Sequence, residues 1–210
     1  MITTEVVYNF NDERAITTAK NRSNKKEKIV HLTFDDGPSK YLEDILDVLA
    51  AEGVVAHFFW QSRLLHHQRP WKRVLAEGHM IGSHSHSHPD LTKLTYEEQK
   101  KQLVTSKKII EEVTKQPVHY FRPPFGQYNS DTLDIASNLE METILWNVAS
   151  LDWTLKDDPE KIIQNVNDYV LDGSIVLLHE VEQTLYVLPR LIKTLKKKGF
   201  TFSTIRASMN

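Results

Sequence analysis

The sequence predicts an α/β protein whose parallel strands close, or nearly close, into a (β/α) barrel of about seven units. Three observations carry this. From residue 28 onward, β-rich runs alternate with segments patterned as helices. The runs are continuously apolar, as expected of strands buried on both faces. The chemically unusual residues fall where the runs stop: Asp35-Asp36, His84 to His88, Arg122, Asp152 and His179. In barrel enzymes the C-terminal strand ends carry the active site, so this placement is informative as a set.

Residues 1–27 are polar and weakly patterned, and read as a lead-in segment and linker ending at Lys25-Lys26-Glu27, with one edge strand at residues 5–8. The domain proper is read as residues 28–207. Lys28-Ile29-Val30-His31-Leu32-Thr33-Phe34 is a strand that stops at Asp35-Asp36-Gly37-Pro38. Leu42, Ile45, Leu46 and Leu49 then fall at helical spacing within residues 41–51. Residues 54–60 read as a strand, 71–77 as a short helix and 80–83 as another strand. Thr95-Tyr96-Glu97-Glu98 carries a capping-box signature and opens a helix to about residue 113. Residues 118–121 form a strand ending at Arg122-Pro123-Pro124, and Asn129 or Ser130 caps a helix to 138. A strand is expected over 143–148, and Asp158-Pro159 reads as N-cap and first position of the next helix. Residues 174–178 are a buried strand, followed by a helix to about 198 and a last strand over 200–205.

At 210 residues the chain accommodates one large domain or two small ones. Its 40% apolar and 26% charged content is that of a soluble globular protein. A net charge of −2 argues against a nucleic-acid partner held by bulk electrostatics. The basic runs Lys25-Lys26 and Lys196-Lys197-Lys198 read as a solvated linker and helix end. The absence of cysteine excludes disulfides, thiolate metal sites and cysteine nucleophiles. No apolar run reaches transmembrane length. Met1-Ile2-Thr3-Thr4-Glu5 carries no signal-peptide pattern, which fits a cytosolic protein or a processed or truncated form. A monomer is expected.

His84-Ser85-His86-Ser87-His88-Pro89 concentrates three of the chain's ten histidines, and imidazole is the commonest ligand for divalent transition metals. In a helical turn His84 and His88 would share a face, whereas in a strand all three would lie on one side. Ser and His are poor helix formers and Pro89 pushes His88 out of the α region, so a short irregular turn is expected. Asp35-Asp36 supplies a carboxylate with one to spare, although Asp-Gly-Pro is also ordinary turn chemistry. On its own segment, after Ile175-Val176-Leu177-Leu178, His179 reads as a core histidine ahead of a catalytic one. His31 and His57 lie inside strands and read as structural, His66-His67 as exposed, and His119 as polar packing.

Five segments acquire meaning together: Thr33-Phe34-Asp35-Asp36-Gly37-Pro38-Ser39; His84 to Pro89; Arg122-Pro123-Pro124-Phe125-Gly126; Leu151-Asp152-Trp153; and Ile175-Val176-Leu177-Leu178-His179. In this order they resemble the polysaccharide deacetylases of carbohydrate esterase family 4, the domain type shared with nodulation-factor chitooligosaccharide deacetylases. The resemblance covers roughly residues 28–205. It implies a distorted (β/α) barrel with fewer than eight units, and metal-dependent removal of N-acetyl groups from amino-sugar polymers or oligomers such as peptidoglycan or chitin. It also implies an extracellular or cell-wall location.

Carried over by position, Asp36, His84 and His88 would be the metal ligands, with His86 outside the set. Zn²⁺ is the usual ion, and Co²⁺ or another divalent transition metal fits the same donors. Asp35 would be the general base and His179 the general acid, with Asp152 orienting His179 and Arg122 holding Asp35. The Phe125 backbone N–H would stabilise the oxyanion, and Trp153 and Leu177 would wall the acetyl pocket. The fourth segment usually opens with Asp, where this chain has Ala149, so a carboxylate that would help order Arg122 or the pocket rim is absent and a different rate or pH optimum is expected. Ser83, Phe125 and Glu180 replace the frequent Asn, Tyr and Asp. Two other readings stand beside this one: a related C–N hydrolase of a small amide or ureide, and a carbohydrate-binding member that has kept the fold without the chemistry.

Overall fold

The computed structural model describes residues 5–8, 12–19 and 27–205. Among the described residues the nine strands are β1 (Ala15–Ile16), β2 (Lys28–Gly37), β3 (His57–Trp60), β4 (Met80–Ser83), β5 (Tyr120–Phe121), β6 (Glu142–Ile144), β7 (Val148–Ala149), β8 (Ser174–His179) and β9 (Phe200–Phe202). They form one sheet in the order β1-β6-β5-β4-β3-β2-β8-β7, with β9 also on β2, and every ladder is parallel. The helices are α1 (Leu42–Glu52), α2 (Trp71–Ala76), α3 (Tyr96–Thr114), α4 (Ser130–Asn138), α5 (Glu160–Tyr169) and α6 (Glu182–Lys197). The sheet curls into an incomplete barrel covered by these helices, the α/β class that the alternating pattern predicts.

β2 is the central strand, and strand alternation divides its side chains between two environments. Val30, Leu32 and Phe34 join Phe58 and Trp60 of β3 and Val176 and Leu178 of β8 in the larger core beneath the helices. Leu42, Ile45, Leu46 and Leu49 of α1 enter that core, as do Val187, Leu188, Leu191, Ile192 and Leu195 of α6. His31, Thr33 and Asp35 face the other way, into the barrel. Each fully buried Leu or Ile is worth about 1.5–3 kcal/mol of transfer free energy, so these two helices hold the sheet's outer face. The capping box of α3 is present: Glu98 N–H donates to Thr95 Oγ1 at 3.4 Å and Thr95 N–H donates to Glu98 Oε2 at 2.9 Å. α4 is capped by Asn129, whose Oδ1 accepts from Thr132 N–H.

Three expectations shift. β2 does not stop at Phe34 but runs through a bulge to Gly37, where Asp35 pairs with Phe59 and Gly37 with Trp60. The strand expected over 143–148 breaks into β6 and β7, because the carbonyls of Ile144 and Leu145 turn inward to the Arg122 guanidinium. α5 begins at Glu160 with Pro159 in the cap position, and Asp158 contributes its carbonyl to Lys161 N–H rather than a capping carboxylate.

The described parts of the lead-in, residues 5–8 and 12–19, lie against the gap opened by that broken strand. β1 pairs with β6, and Thr18 forms an antiparallel bridge with Ser174 at the start of β8. Residues 5–8 contribute one antiparallel bridge, Val7 to Val148, instead of an edge strand. The linker at 21–26, with its Lys25-Lys26 pair, and residues 206–207 lie outside the described residues. Among the described residues no helix is long and apolar enough to cross a membrane.

His57 is buried in the barrel against Phe59 and Tyr120, at ring distances of 5.0 and 4.9 Å, and neither ring nitrogen has a hydrogen-bond partner among the described residues. Burial first, then the charges of Arg122 and His31, push it down to about 3. The unfolded chain binds a proton near 6.5 that the folded one refuses. This contribution to stability is therefore full above pH 6.5 and is lost as pH falls toward 3. Urea unfolding of His57→Phe should lose up to about 1.4 kcal/mol per pH unit of the wild type's decline between pH 7 and 5. An unchanged pH slope would contradict the placement of His57.

Candidate active site

The five segments meet at the mouth of the barrel. Strand alternation would send Asp35 and Asp36 to opposite faces, but Asp36 occupies the bulge with φ 68°, a left-handed conformation that Asp tolerates better than most residues. Asp35 points into the barrel and is 2% exposed, while Asp36 keeps a 39% exposed side chain at the rim.

The loop after β4 is neither helix nor strand. Ser85 and His88 both take left-handed φ, at 65° and 64°, and Ser85 Oγ accepts from His88 N–H at 3.0 Å. This folding brings the rings of His84 and His88 within 4.8 Å of each other and turns His86 away, to Ser62 Oγ at 2.9 Å. His88 Nε2 lies 3.2 Å and His84 Nε2 3.8 Å from Asp36 Oδ1. One donor atom from each of Asp36, His84 and His88 falls within 4.8 Å of the others, a spacing that fits one shared ion. The chemistry of the donors fits as well. His84 Nδ1 is 2.8 Å from the Arg122 carbonyl, which places the proton there and leaves the Nε2 lone pair toward Asp36. Burial and the neighbouring His84 push His88 down to about 4. For Asp36, burial raises the pKa but is outweighed by the three surrounding histidines and Gln61, which hold the carboxyl low and ionised.

Asp35 is held from behind. Arg122, fully buried just past the end of β5, donates from Nη1 to Asp35 Oδ1 at 2.8 Å and to Thr33 Oγ1 at 2.7 Å. Its Nη2 donates to the Leu145 carbonyl at 2.8 Å and its Nε to the Ile144 carbonyl at 3.2 Å. The guanidinium also lies over the Phe59 ring at 4.2 Å. Ala149 therefore does not leave Arg122 loose: two main-chain carbonyls and Thr33 order it without a carboxylate at 149. Asp35 Oδ2 stands 3.6 Å from His84 Nε2, at the edge of the Asp36–His84–His88 cluster.

Opposite lies His179, paired in register with Asp35 across β2 and β8. Asp152 Oδ1 meets His179 Nδ1 at 2.7 Å, and its Oδ2 accepts from His179 N–H and from Thr184 Oγ1. Burial would lower the imidazole's pKa, but the charge and hydrogen bond of Asp152, with Asp36 and Asp35, outweigh it and raise the ring to about 9. His179 Nε2 faces Asp36 Oδ2 at 3.9 Å.

Asp35, Asp36, His84, His88, Phe125, Trp153, Leu177 and His179 line one cleft of about 710 Å³, while Arg122 and Asp152 sit behind its wall. Phe125, at φ 59° and 61% exposed, forms the rim against His88. Tyr8, Asp90, Lys93, Gln127 and Trp146 also line the cleft and escaped the sequence reading, as did Gln61, whose Nε2 donates to Asp36 Oδ1 at 2.8 Å. Asp90 and Gln127 directly follow the second and third segments, whereas no local pattern marks Tyr8, Gln61, Lys93 or Trp146. His66 and His67 are exposed, and His119 is exposed rather than packed.

A family model described as polysaccharide deacetylase matches residues 22–144. The chain is similar to the peptidoglycan-N-acetylmuramic acid deacetylase PdaA of Bacillus subtilis, at 35% identity over 87% of this chain and 72% of that protein. It is 34% identical to the peptidoglycan-N-acetylglucosamine deacetylase PgdA of Listeria monocytogenes over 86% of this chain, but it spans only 39% of that longer protein. Among solved structures, a peptidoglycan N-acetylglucosamine deacetylase in complex with 4-naphthalen-1-yl-N-oxidanyl-benzamide superposes with a TM-score of 0.85 at 28% identity, covering 93% of this chain and 92% of that chain. A CE4 family pseudoenzyme from Bacillus anthracis superposes with a TM-score of 0.81 at 30% identity, covering 88% and 66%.

The buried Arg122–Asp35 pair predicts that Arg122→Met leaves a carboxylate uncompensated in the barrel. Urea unfolding should show a loss of about 3–5 kcal/mol. Wild-type stability in that variant would mean that the pair carries little of the structure.

Proposed function

We propose, from the premise that this chain belongs to the polysaccharide deacetylase family, that it is a metal-dependent hydrolase removing N-acetyl groups from peptidoglycan or chitin-type amino-sugar oligomers. One observation carries the reading: Asp36, His84 and His88, spaced as donors to one ion would be, stand between a clamped carboxylate, Asp35, and a histidine with a buried carboxylate behind it, His179. The relatives named above as peptidoglycan deacetylases support the substrate class.

A divalent transition ion, Zn²⁺ or Co²⁺, held by Asp36, His84 and His88 would polarise the acetamide carbonyl and acidify the attacking water. Three protein ligands leave positions for water and substrate, as a catalytic site requires. Asp35 takes the proton of that water on Oδ2, since Oδ1 is occupied by Arg122. Water oxygen bonds to the carbonyl carbon, and the Phe125 N–H donates to the developing oxyanion. His179 delivers the proton that the departing amine needs as the C–N bond breaks, leaving acetate and a free amino sugar. Asp152 holds the ring by Nδ1 and keeps its Nε2 toward the cleft. Trp153 and Leu177 flank the acetyl methyl.

The likeness to a pseudoenzyme favours a second reading, in which the cleft binds sugar without cleaving it. The presence of Asp35, the triad and His179 in one cleft speaks for catalysis. Asp35→Asn should retain metal and lose acetate release by a factor of about 10²–10⁴. His84→Ala should lose metal and release together, as read by metal analysis and acetate assay on N-acetylated peptidoglycan and chitooligomers. A near-normal rate in Asp35→Asn would remove Asp35 as the base, and full metal occupancy in His84→Ala would remove His84 from the ligand set.

A further inference from the structure

The turn that follows β3 grips both segments that carry the metal triad. Gln61 N–H donates to the Gly37 carbonyl at 2.9 Å, one residue beyond Asp36. Ser62 N–H donates to the Ser85 carbonyl and Arg63 N–H to the His86 carbonyl, both at 3.2 Å, between His84 and His88. The Ser62 hydroxyl bonds the His86 ring. At the centre of this clasp the Gln61 side chain, 6% exposed, donates from Nε2 to Asp36 Oδ1 at 2.8 Å. That oxygen is the one facing both ligand histidines. The amide's orientation is set from both ends. Arg63 Nε donates to Gln61 Oε1 at 3.0 Å, so the nitrogen must face the carboxylate.

Asp36 needs such a partner. It stands on a bulge, its side chain is 39% exposed, and its second oxygen faces His179 at 3.9 Å. Rotation about the Cβ–Cγ bond would exchange the oxygen directed at His84 and His88 for one directed at His179. A fixed N–H donor on Oδ1 opposes that rotation, and hydrogen bonds to a ligating carboxylate are what hold it in its ligating geometry.

We propose that Gln61 is a positioning residue for the metal site, holding the Asp36 carboxylate toward His84 and His88, with Arg63 fixing the amide that does so. The inference rests on the reading of Asp36, His84 and His88 as metal ligands. Its test is the affinity of the full chain for Zn²⁺ alone, measured by competition with a chromogenic chelator, alongside the melting temperature of the metal-free protein. Gln61→Ala should weaken Zn²⁺ binding about 10–100-fold while the metal-free melting temperature stays at the wild-type value. Arg63→Met, an exposed change that leaves Gln61 in place, should weaken it in the same direction by a smaller factor. Zn²⁺ affinity within about twofold of wild type in Gln61→Ala would overturn the proposal. Should that variant fail to fold, unchanged affinity in Arg63→Met would overturn it. A wild-type chain that binds no Zn²⁺ would instead bring down the reading of the triad itself.

Discussion

The guanidinium of Arg122 is a fully buried cation behind the wall of the cleft, and the site is arranged around it. Its donors reach Thr33 and Asp35 of β2 and the carbonyls at the broken end of β6, while its own carbonyl holds His84 after β4. A buried ion pair adds little net stability compared with well-packed apolar groups, because desolvation offsets most of the Coulomb gain. Its consequence here is geometric. One residue ties together the segments that carry the carboxylates and the first histidine, and its side chain is fully buried.

That constraint divides labour between two adjacent carboxylates. Asp35, buried and held on one oxygen, has a single orientation and one free oxygen beside the triad. Asp36, lifted onto a bulge, reaches the rim, where His84, His88 and His179 surround it. The bulge creates this difference, because an unbulged strand would send the two side chains to opposite faces of the sheet. On the far side, Asp152 and Thr184 do for His179 what Arg122 does for Asp35.

The long periodic segments were legible in the sequence: the capping box of α3, the amphipathic α1 and the continuous apolar run of β2 all follow local rules. The break between β6 and β7 was not, because residues 143–148 read as one apolar run and the cause lies in Arg122, more than twenty residues earlier. The part that residues 15–18 play in the sheet was hidden by their polar surroundings. In the site, the residue types and their order pointed to Asp35, Asp36, His84, His88 and His179, yet the choice among three histidines was left open by the residues themselves. It depends on left-handed φ at Ser85 and His88, which no propensity foretells. Gln61 and Thr184 were invisible for a related reason: an amide or a hydroxyl gains its role only from the partner that the fold supplies.

The central claim is that these groups cleave an acetamide rather than hold a sugar. The measurement that tests it most directly is acetate release from N-acetylated peptidoglycan and chitooligomers by the wild-type chain, before and after chelation and after a divalent ion is returned. Release that the chelator abolishes and Zn²⁺ or Co²⁺ restores is the expected result. Binding of these oligomers by the metal-loaded chain with no acetate released would contradict it.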